Sequence, residues 1–144
     1  MQYVHDVLMD KGSKVWTVTP DSSVWNALEI MAEKNIGALL ILDDDKLIGI
    51  ISERDYARRL ALKGKRSRET PVQDIMTGVV ATVSPSHSMK DCMEIMTVER
   101  VRHLPVIDRG ELVGVVSIGD VVKSIMSYQE AMIQQLEAYI TGRV

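Results

Sequence analysis

The apolar positions of the chain fall into two patterns, and each pattern occurs twice. In the first, Val24, Ala27, Leu28 and Met31 recur at i, i+3, i+4 and i+7, and Met89, Cys92, Met93 and Met96 repeat the spacing. One face of a 3.6-residue helix carries such positions, so each set predicts a helix with a single buried stripe. Ser23 and Ser88 stand where these helices open. Ser88-x-x-Asp91 has the spacing of a capping box, and Ser23-x-x-Asn26 is a weaker version of it. Cys92 belongs to its stripe and reads as a core residue rather than a reactive thiol. In the second pattern, two short apolar runs flank a polar link: 38–42 and 47–51 around Asp43-Asp44-Asp45-Lys46, then 104–107 and 112–116 around Asp108-Arg109-Gly110-Glu111. Both predict β-hairpins with four-residue loops. The acidic triplet 43–45 reads as a solvated turn, since no cation-ligand spacing follows it. Another helix follows each hairpin, near 53–62 and 118–127. Residues 128–141 read as an extra helix, with Met132, Ile133, Leu136 and Ile140 on its apolar face and Gly142 ending it. That helix either covers one end of the fold or packs against a partner subunit.

The doubled patterns are copies of one unit. Shifted by 65 positions, residues 17–57 align with 82–122 without a gap, and 13 of 41 positions are identical. Ordinary amino-acid usage gives about two or three. Thr17-Val18-Thr19-Pro20 meets Thr82-Val83-Ser84-Pro85, and Gly49, Ser52 and Asp55 meet Gly114, Ser117 and Asp120. A weaker echo lies upstream at an offset of 68, where Val4-x-Asp6-Val7-Leu8 matches Val72-x-Asp74-Ile75-Met76. Each unit reads as strand, helix, strand, strand, helix. The organisation is a first repeat at 1–62, a basic linker at 63–71, a second repeat at 72–127, and a C-terminal helix and tail at 128–144. The linker stretch Lys63-Gly64-Lys65-Arg66-Ser67-Arg68 is no P-loop, because position 59 is Arg and Arg66 follows Lys65 where Ser or Thr is required. It reads as a solvated connection, with cations that could also reach a polyphosphate or an RNA.

Composition narrows the picture further. The 144 residues are 46% hydrophobic and 26% charged, which is globular rather than disordered or fibrous. A chain of this length buries about 68–70% of its unfolded surface, so it needs no disulfide or metal to fold. No apolar run approaches the ~20 residues of a membrane span. The N-terminal residues lack the apolar stretch of a signal peptide, and a lone cysteine fits a reducing compartment, so a cytoplasmic protein is expected. With 17 basic and 20 acidic residues, general affinity for nucleic acid or anionic membrane is not expected. Two Trp, four Tyr and no Phe leave ligand contact to aliphatic side chains.

The candidate chemistry lies at Gly49-Ile50-Ile51-Ser52-Glu53-Arg54-Asp55 and Gly114-Val115-Val116-Ser117-Ile118-Gly119-Asp120. In each, a strand ends at Ser and a helix begins. The first helical N–H groups are unpaired and suit a phosphate, to which the serine hydroxyl can donate. The aspartate, held on the first turn, can accept both hydroxyls of a ribose. Between them, Arg54 offers a charged fork for phosphate and Gly119 lets a ligand approach the backbone. The same Ser-x-x-Asp is also an ordinary capping box, in which each aspartate ties back to its own helix. The two readings stand side by side, with the duplication favouring a ligand.

In this sequence the Thr-Val-Thr/Ser-Pro starts, Arg102-His103-Leu104-Pro105-Val106 and the two Gly-x-x-Ser-x-x-Asp stretches resemble a tandem pair of cystathionine β-synthase (CBS) domains, a Bateman module. The likeness covers about residues 4–127 and is greatest to small free-standing bacterial CBS-pair proteins. It implies an α/β fold: tandem β-α-β-β-α repeats related by a pseudo-twofold axis, with ligand clefts between the repeats, plus a C-terminal helix. It also implies an adenosine-containing ligand such as AMP, ADP, ATP, NAD or S-adenosylmethionine. Asp55 and Asp120 would then hold ribose hydroxyls, and Ser52 and Ser117 would meet phosphate. Thr17, Val18, Thr82 and Val83 would line the adenine edge. Ile36, Gly37 and Ala38 in one copy, and Arg102, His103, Leu104 and Pro105 in the other, would form a wall. The copies differ at Gly37-Ala38 against Arg102-His103, at Arg54 against Gly119 and at Leu40 against Pro105, so the two sites should not be equivalent. The sequence shows no activated nucleophile, metal cluster or Gly-rich catalytic loop. A non-enzymatic regulatory module is expected, working as a homodimer and signalling to an unidentified effector protein. The alternative is a structural or protein-interaction module that acts through its C-terminal helix.

Overall fold

The computed structural model of the chain describes residues 2–79 and 81–142. Met1 of the first repeat, Val80 of the second and residues 143–144 of the expected tail lie outside the described residues. In chain order the elements are α1 (Val4–Lys11), β1 (Thr17–Val18), α2 (Val24–Lys34), β2 (Ala38–Asp43), β3 (Lys46–Ser52) and α3 (Glu53–Asp55). The helix of α3 runs on through a π-helical turn, Tyr56–Leu60, and a 3₁₀ turn, Ala61–Lys63. A 3₁₀ turn at Val72–Asp74 precedes β4 (Thr77–Gly78), and α4 (Met89–Glu99), β5 (His103–Asp108), β6 (Glu111–Ser117) and α5 (Ile118–Ile140) follow.

Three positions of each predicted stripe bury, while Leu28 is only half-buried and Met93 is 37% exposed at the stripe's edge. Val24, Ala27 and Met31 of α2, and Met89, Cys92 and Met96 of α4, are all at most 3% exposed. Burial pushes the Cys92 thiol up to about 11, which keeps it protonated and inert. Ser23 Oγ accepts from Asn26 N–H at 3.0 Å. Ser88 and Asp91 complete the capping box, at 3.0 Å from Asp91 N to Ser88 Oγ and 2.9 Å from Ser88 N to an Asp91 carboxylate oxygen.

Two expectations change. The hairpin loops are two residues long, not four, because the strand ladders continue through Asp43↔Lys46 and Asp108↔Glu111. The turns are Asp44–Asp45, with φ of 47° and 63°, and Arg109–Gly110, with φ of 52° and 81°. Two successive positive φ values give the twist that matches antiparallel strands, and Asp and Gly tolerate them well. The extra helix is not separate either. Residues 118–140 form one helix with no break at Ser127, because after Gly119 on the first turn no glycine or proline interrupts it. Gly142, at φ 70°, follows its end.

The chain forms two compact units, Val15–Val80 and Met1–Lys14 with Ala81–Val144. Each leader segment therefore packs with the helices and hairpin of the other copy. In the Val15–Val80 unit the sheet order is β1-β2-β3-β4, with β1 parallel to β2 and the other pairs antiparallel. Val72 and Ile75 are fully buried in the core with Val24, Leu39, Ile41 and Ile51. The basic linker is partly strapped down in this unit. Ser67 carbonyl accepts from Trp25 N–H at 3.0 Å, and the Arg68 guanidinium lies 4.3 Å from the Trp25 ring centre. Lys63 and Lys65 remain exposed.

In the other unit, Val4, Val7 and Leu8 of α1 join a core with Cys92, Leu104, Val106 and Val116. Here the strand before the helix shrinks to a single parallel bridge, Val83↔Val106. The cause is one substitution. In the first copy Leu40 N–H bonds the Trp16 carbonyl at 3.4 Å, whereas the matching Pro105 has no N–H to give.

A glycine receives each leader. A Cβ on Gly114 would lie 2.7 and 2.9 Å from the Leu8 methyls, and a Cβ on Gly49 would lie 2.5 Å from Met76 Sδ and 3.0 Å from the Thr77 carbonyl. Gly49→Ala should therefore cost about 1–3 kcal/mol in chemical denaturation, as overpacking does in a closed site. Gly78→Ala, where a Cβ meets nothing within 4 Å, should stay within about 0.5 kcal/mol of the unchanged protein.

Candidate functional site

Each unit brings its strand-to-helix junction together in the same way. In the Val15–Val80 unit, Ala38 pairs with Ser52, and Glu53 N–H donates to the Gly37 carbonyl at 3.1 Å. The run Ile36–Ala38 thus lies against the start of α3. Thr17 and Val18 pair with Leu40 and Ile41 on the neighbouring strand. Arg54 is exposed on the first turn. In the other unit, His103 pairs with Ser117, and Ile118 N–H donates to the Arg102 carbonyl at 2.8 Å. Thr82, Arg102 and Gly119 are exposed. Val18, Val83 and Leu104 are core residues, so what they can offer a ligand is backbone. Pro105 is likewise buried.

Both junctions are capping boxes. Asp55 N–H donates to Ser52 Oγ at 3.2 Å, and Ser52 N–H donates to Asp55 Oδ2 at 3.0 Å. Asp120 N–H donates to Ser117 Oγ at 3.2 Å, and Ser117 N–H to Asp120 Oδ2 at 2.8 Å. The helix-cap reading of Ser-x-x-Asp is therefore realised in both copies, and the first helical N–H groups expected to be unpaired are partly taken: Glu53 and Ile118 donate to the Gly37 and Arg102 carbonyls, and Asp55 and Asp120 to the serine hydroxyls. The cap does not exhaust the carboxylates, since each has about four lone-pair sites.

What else touches each aspartate was not legible in the repeat. Asp55 Oδ2 also accepts from Ser52 Oγ at 3.1 Å, and Oδ1 accepts from Thr77 Oγ1 at 2.9 Å and lies 3.9 Å from Arg59 Nε. Arg59 in turn donates to the Met76 carbonyl at 2.8 Å. The Asp120 carboxylate instead meets Lys11, whose Nζ donates to Oδ2 at 2.6 Å. Thr77 and Lys11 both come from leader segments. The echo between 4–8 and 72–76 signals that leaders belong to the repeat, but not which copy each one joins.

The electrostatics of the Asp120 side follow. Burial is the largest influence on the Asp120 carboxyl and acts to raise its pKa, but the hydrogen bonds from Lys11 and Ser117 and the Lys11 charge outweigh it and hold it below the ordinary 3.8. His103 is held below its ordinary 6.5, chiefly by burial and then by the Lys11 charge, against the pull of Asp120. It is neutral at pH 7. Among the described residues no group of three or more His, Cys, Asp or Glu could hold a metal ion.

Two open grooves adjoin these junctions. One, of about 600 Å³, runs between the end of α2 and the start of α3 and takes in Ile36, Gly37 and Glu53. The other, of about 480 Å³, lies along the outer face of α5 from Ile118 and Gly119 to Glu130.

The comparison with known families decides what this architecture is. The profile of the CBS domain matches twice, at residues 4–62 and 72–127. The chain belongs to the CBS-domain family. It is 39% identical over 149 residues to CBS domain-containing protein CBSX3, mitochondrial, of Arabidopsis thaliana, covering 96% of this chain and 72% of that protein. It is 32% identical to CBS domain-containing protein YhcV of Bacillus subtilis, covering 83% and 84% of the two chains. A solved protein with CBS domains from Burkholderia ambifaria superposes with a TM-score of 0.84 at 47% identity, over 88% of this chain and 95% of that one. The tandem CBS pair and its mixed α/β fold with a C-terminal helix are thus established. The relatives are free-standing CBS-domain proteins, a regulatory kind of module.

The shifted groups of the second CBS copy predict two steps of pH dependence. His103 is depressed, so the unfolded chain takes up its proton first. Stability should be full above pH 6.5 and fall as pH drops from there towards the folded-state value, and His103→Asn should flatten that step. Asp120 is also depressed. Its contribution is in place above 3.8 and is lost as pH falls through the folded-state value, so Asp120→Asn should remove this acid step. Denaturant titrations from pH 8 to pH 3 read both.

Proposed function

We propose that the chain is a non-enzymatic regulatory module that binds an adenosine-containing ligand, of the AMP, ADP, ATP or NAD kind, at a Ser-x-x-Asp junction of its CBS copies. The observation that carries this is the convergence, where strand becomes helix, of a carboxylate, a helix start whose dipole suits phosphate, and the backbone of the first hairpin strand; at Asp55 both carboxylate oxygens are already engaged. At Asp120 the arrangement adds Lys11, and exposed Arg102 lies one residue before the paired His103. Binding would bias the conformation or the association of the module, and an effector protein would respond to that change. The lone cysteine is buried and inert, which is compatible with work in the cytoplasm.

A thermal-shift panel of AMP, ADP, ATP, NAD, NADH and S-adenosylmethionine tests the reading. At 100 times its dissociation constant a ligand of the native state should stabilise by about 2.7 kcal/mol. A flat response to all six would sink it.

One observation favours a second reading, an interaction surface between copies of this chain. The helix α5 is 23 residues long, and Met126, Met132, Ile133, Leu136, Tyr139 and Ile140 are each at least 43% exposed along it. Such a sustained apolar face is what a helix pair buries. Truncation after Ser127 should leave ligand stabilisation intact and lower the oligomeric state in sedimentation. An unchanged oligomer after truncation would dismiss this role for α5.

A further inference from the structure

The two aspartates occupy matched positions but differ in what already holds them. Both oxygens of Asp55 are engaged by groups of its own unit: Ser52 N–H and Oγ on Oδ2, and Thr77 Oγ1, with Arg59 beside it, on Oδ1. A ribose diol could take that carboxylate only by displacing Thr77, and the Asp55 side chain is just 12% exposed. At Asp120 every contact converges on Oδ2, where Lys11 Nζ stands at 2.6 Å and Ser117 N–H at 2.8 Å. Oδ1 accepts no hydrogen bond among the described residues, and the side chain is 19% exposed.

Lys11 is therefore the one tie at Asp120 that a ligand can exchange. It is a flexible ammonium, with its side chain 37% exposed. It is delivered from α1, whose Leu8, one turn earlier, seats over Gly114. Its Nζ and Ser117 N–H meet on the same oxygen, at the point where α5 begins, so the cation sits beside the place a phosphate would take. A ligand hydroxyl that claims Oδ2 frees the ammonium. An uncharged nucleoside leaves that charge without its partner, whereas a phosphorylated one gives it a new partner.

Resting on the adenosine reading above, we propose that the second copy's junction is the ligand site, that the first copy's Asp55 is committed to structure, and that Lys11 is the specificity-determining residue, exchanging Asp120 for the phosphate of the ligand.

Calorimetric titration with adenosine, AMP and ADP tests this. The unmodified protein should bind one nucleotide per chain and prefer AMP over adenosine by roughly tenfold or more, as a charge-assisted hydrogen bond allows. Lys11→Met should weaken AMP but not adenosine, shrinking the preference to within about threefold, while Lys11→Arg restores it and Lys46→Met, in the other unit, leaves it alone. Asp120→Asn should abolish binding. Asp55→Asn should lower the melting temperature and preserve the affinity. Binding that survives Asp120→Asn, a stoichiometry of two, or a preference for AMP unchanged in Lys11→Met overturns the assignment while leaving the adenosine reading standing. Absence of binding of all three to the unmodified protein overturns the assignment, and the adenosine reading falls with it where the six-ligand panel is flat as well.

Discussion

Gly49 and Gly114 hold the space on which each unit depends. They lie in the second hairpin strand, and the absence of a side chain there lets a residue of the leader, Met76 or Leu8, close against the strand. Three consequences follow from that contact. The leader's apolar residues complete a core that the helix and hairpin alone would leave open. The leader's next polar residues arrive beside the junction where strand becomes helix. There they find the aspartate of the capping box, and Thr77 or Lys11 takes hold of it. The glycine that opens each Gly-x-x-Ser-x-x-Asp stretch thus serves the leader.

The duplication makes a pair of near-copies, and their differences have local causes. Pro105 in place of Leu40 removes one N–H and reduces a two-residue strand to a single bridge. The leader of one unit is an eight-residue helix, while that of the other is a 3₁₀ turn followed by a short strand on β3. A helix carries the chain round so that Lys11 follows Leu8 by one turn, on the same face. A strand instead sets Thr77 next to Met76 and against Ile50. The conformation of the leader therefore decides whether a charged or a neutral group meets the carboxylate. The π-helical turn at Tyr56–Leu60 belongs to the first copy alone, where Arg59 reaches the Met76 and Ile75 carbonyls. The second copy has a regular helix at that place.

The helices and hairpins were legible because their signals are local. Val24, Ala27 and Met31 are buried by the periodicity they display, and the serines cap where their spacing says they should. The hairpin turn was read two residues too long because polarity does not separate a solvated strand end from a loop: Asp43 and Lys46 are exposed yet paired. The end of the second repeat was drawn at residue 127 because the repeat ends there. A helix, however, runs on until something breaks it, and after Gly119 on its first turn no glycine or proline comes before Gly142. The partners of the aspartates were out of reach for a different reason. Lys11 and Asp120 are 109 residues apart, and the pairing depends on which unit accepts each leader. No periodicity or motif encodes that choice. It is settled by the fit of Leu8 over Gly114 and of Met76 over Gly49.

Capping and ligand recognition at Ser-x-x-Asp then cease to be rivals. The cap uses the backbone N–H of the serine and one carboxylate oxygen, and it fixes the rotamer of the aspartate on the first turn. A carboxylate so fixed presents its second oxygen in a set direction, and no side-chain freedom is lost when a hydroxyl arrives. The cap therefore prepares the acceptor instead of consuming it. Whether the acceptor stays available depends on the leader. Thr77 supplies a neutral hydroxyl that satisfies the second oxygen of Asp55 and closes the position. Lys11 crowds onto the oxygen already used by the cap and leaves the other open. One fold, repeated, thus yields one closed carboxylate and one poised one, and the difference comes from segments that the repeat pattern barely marks.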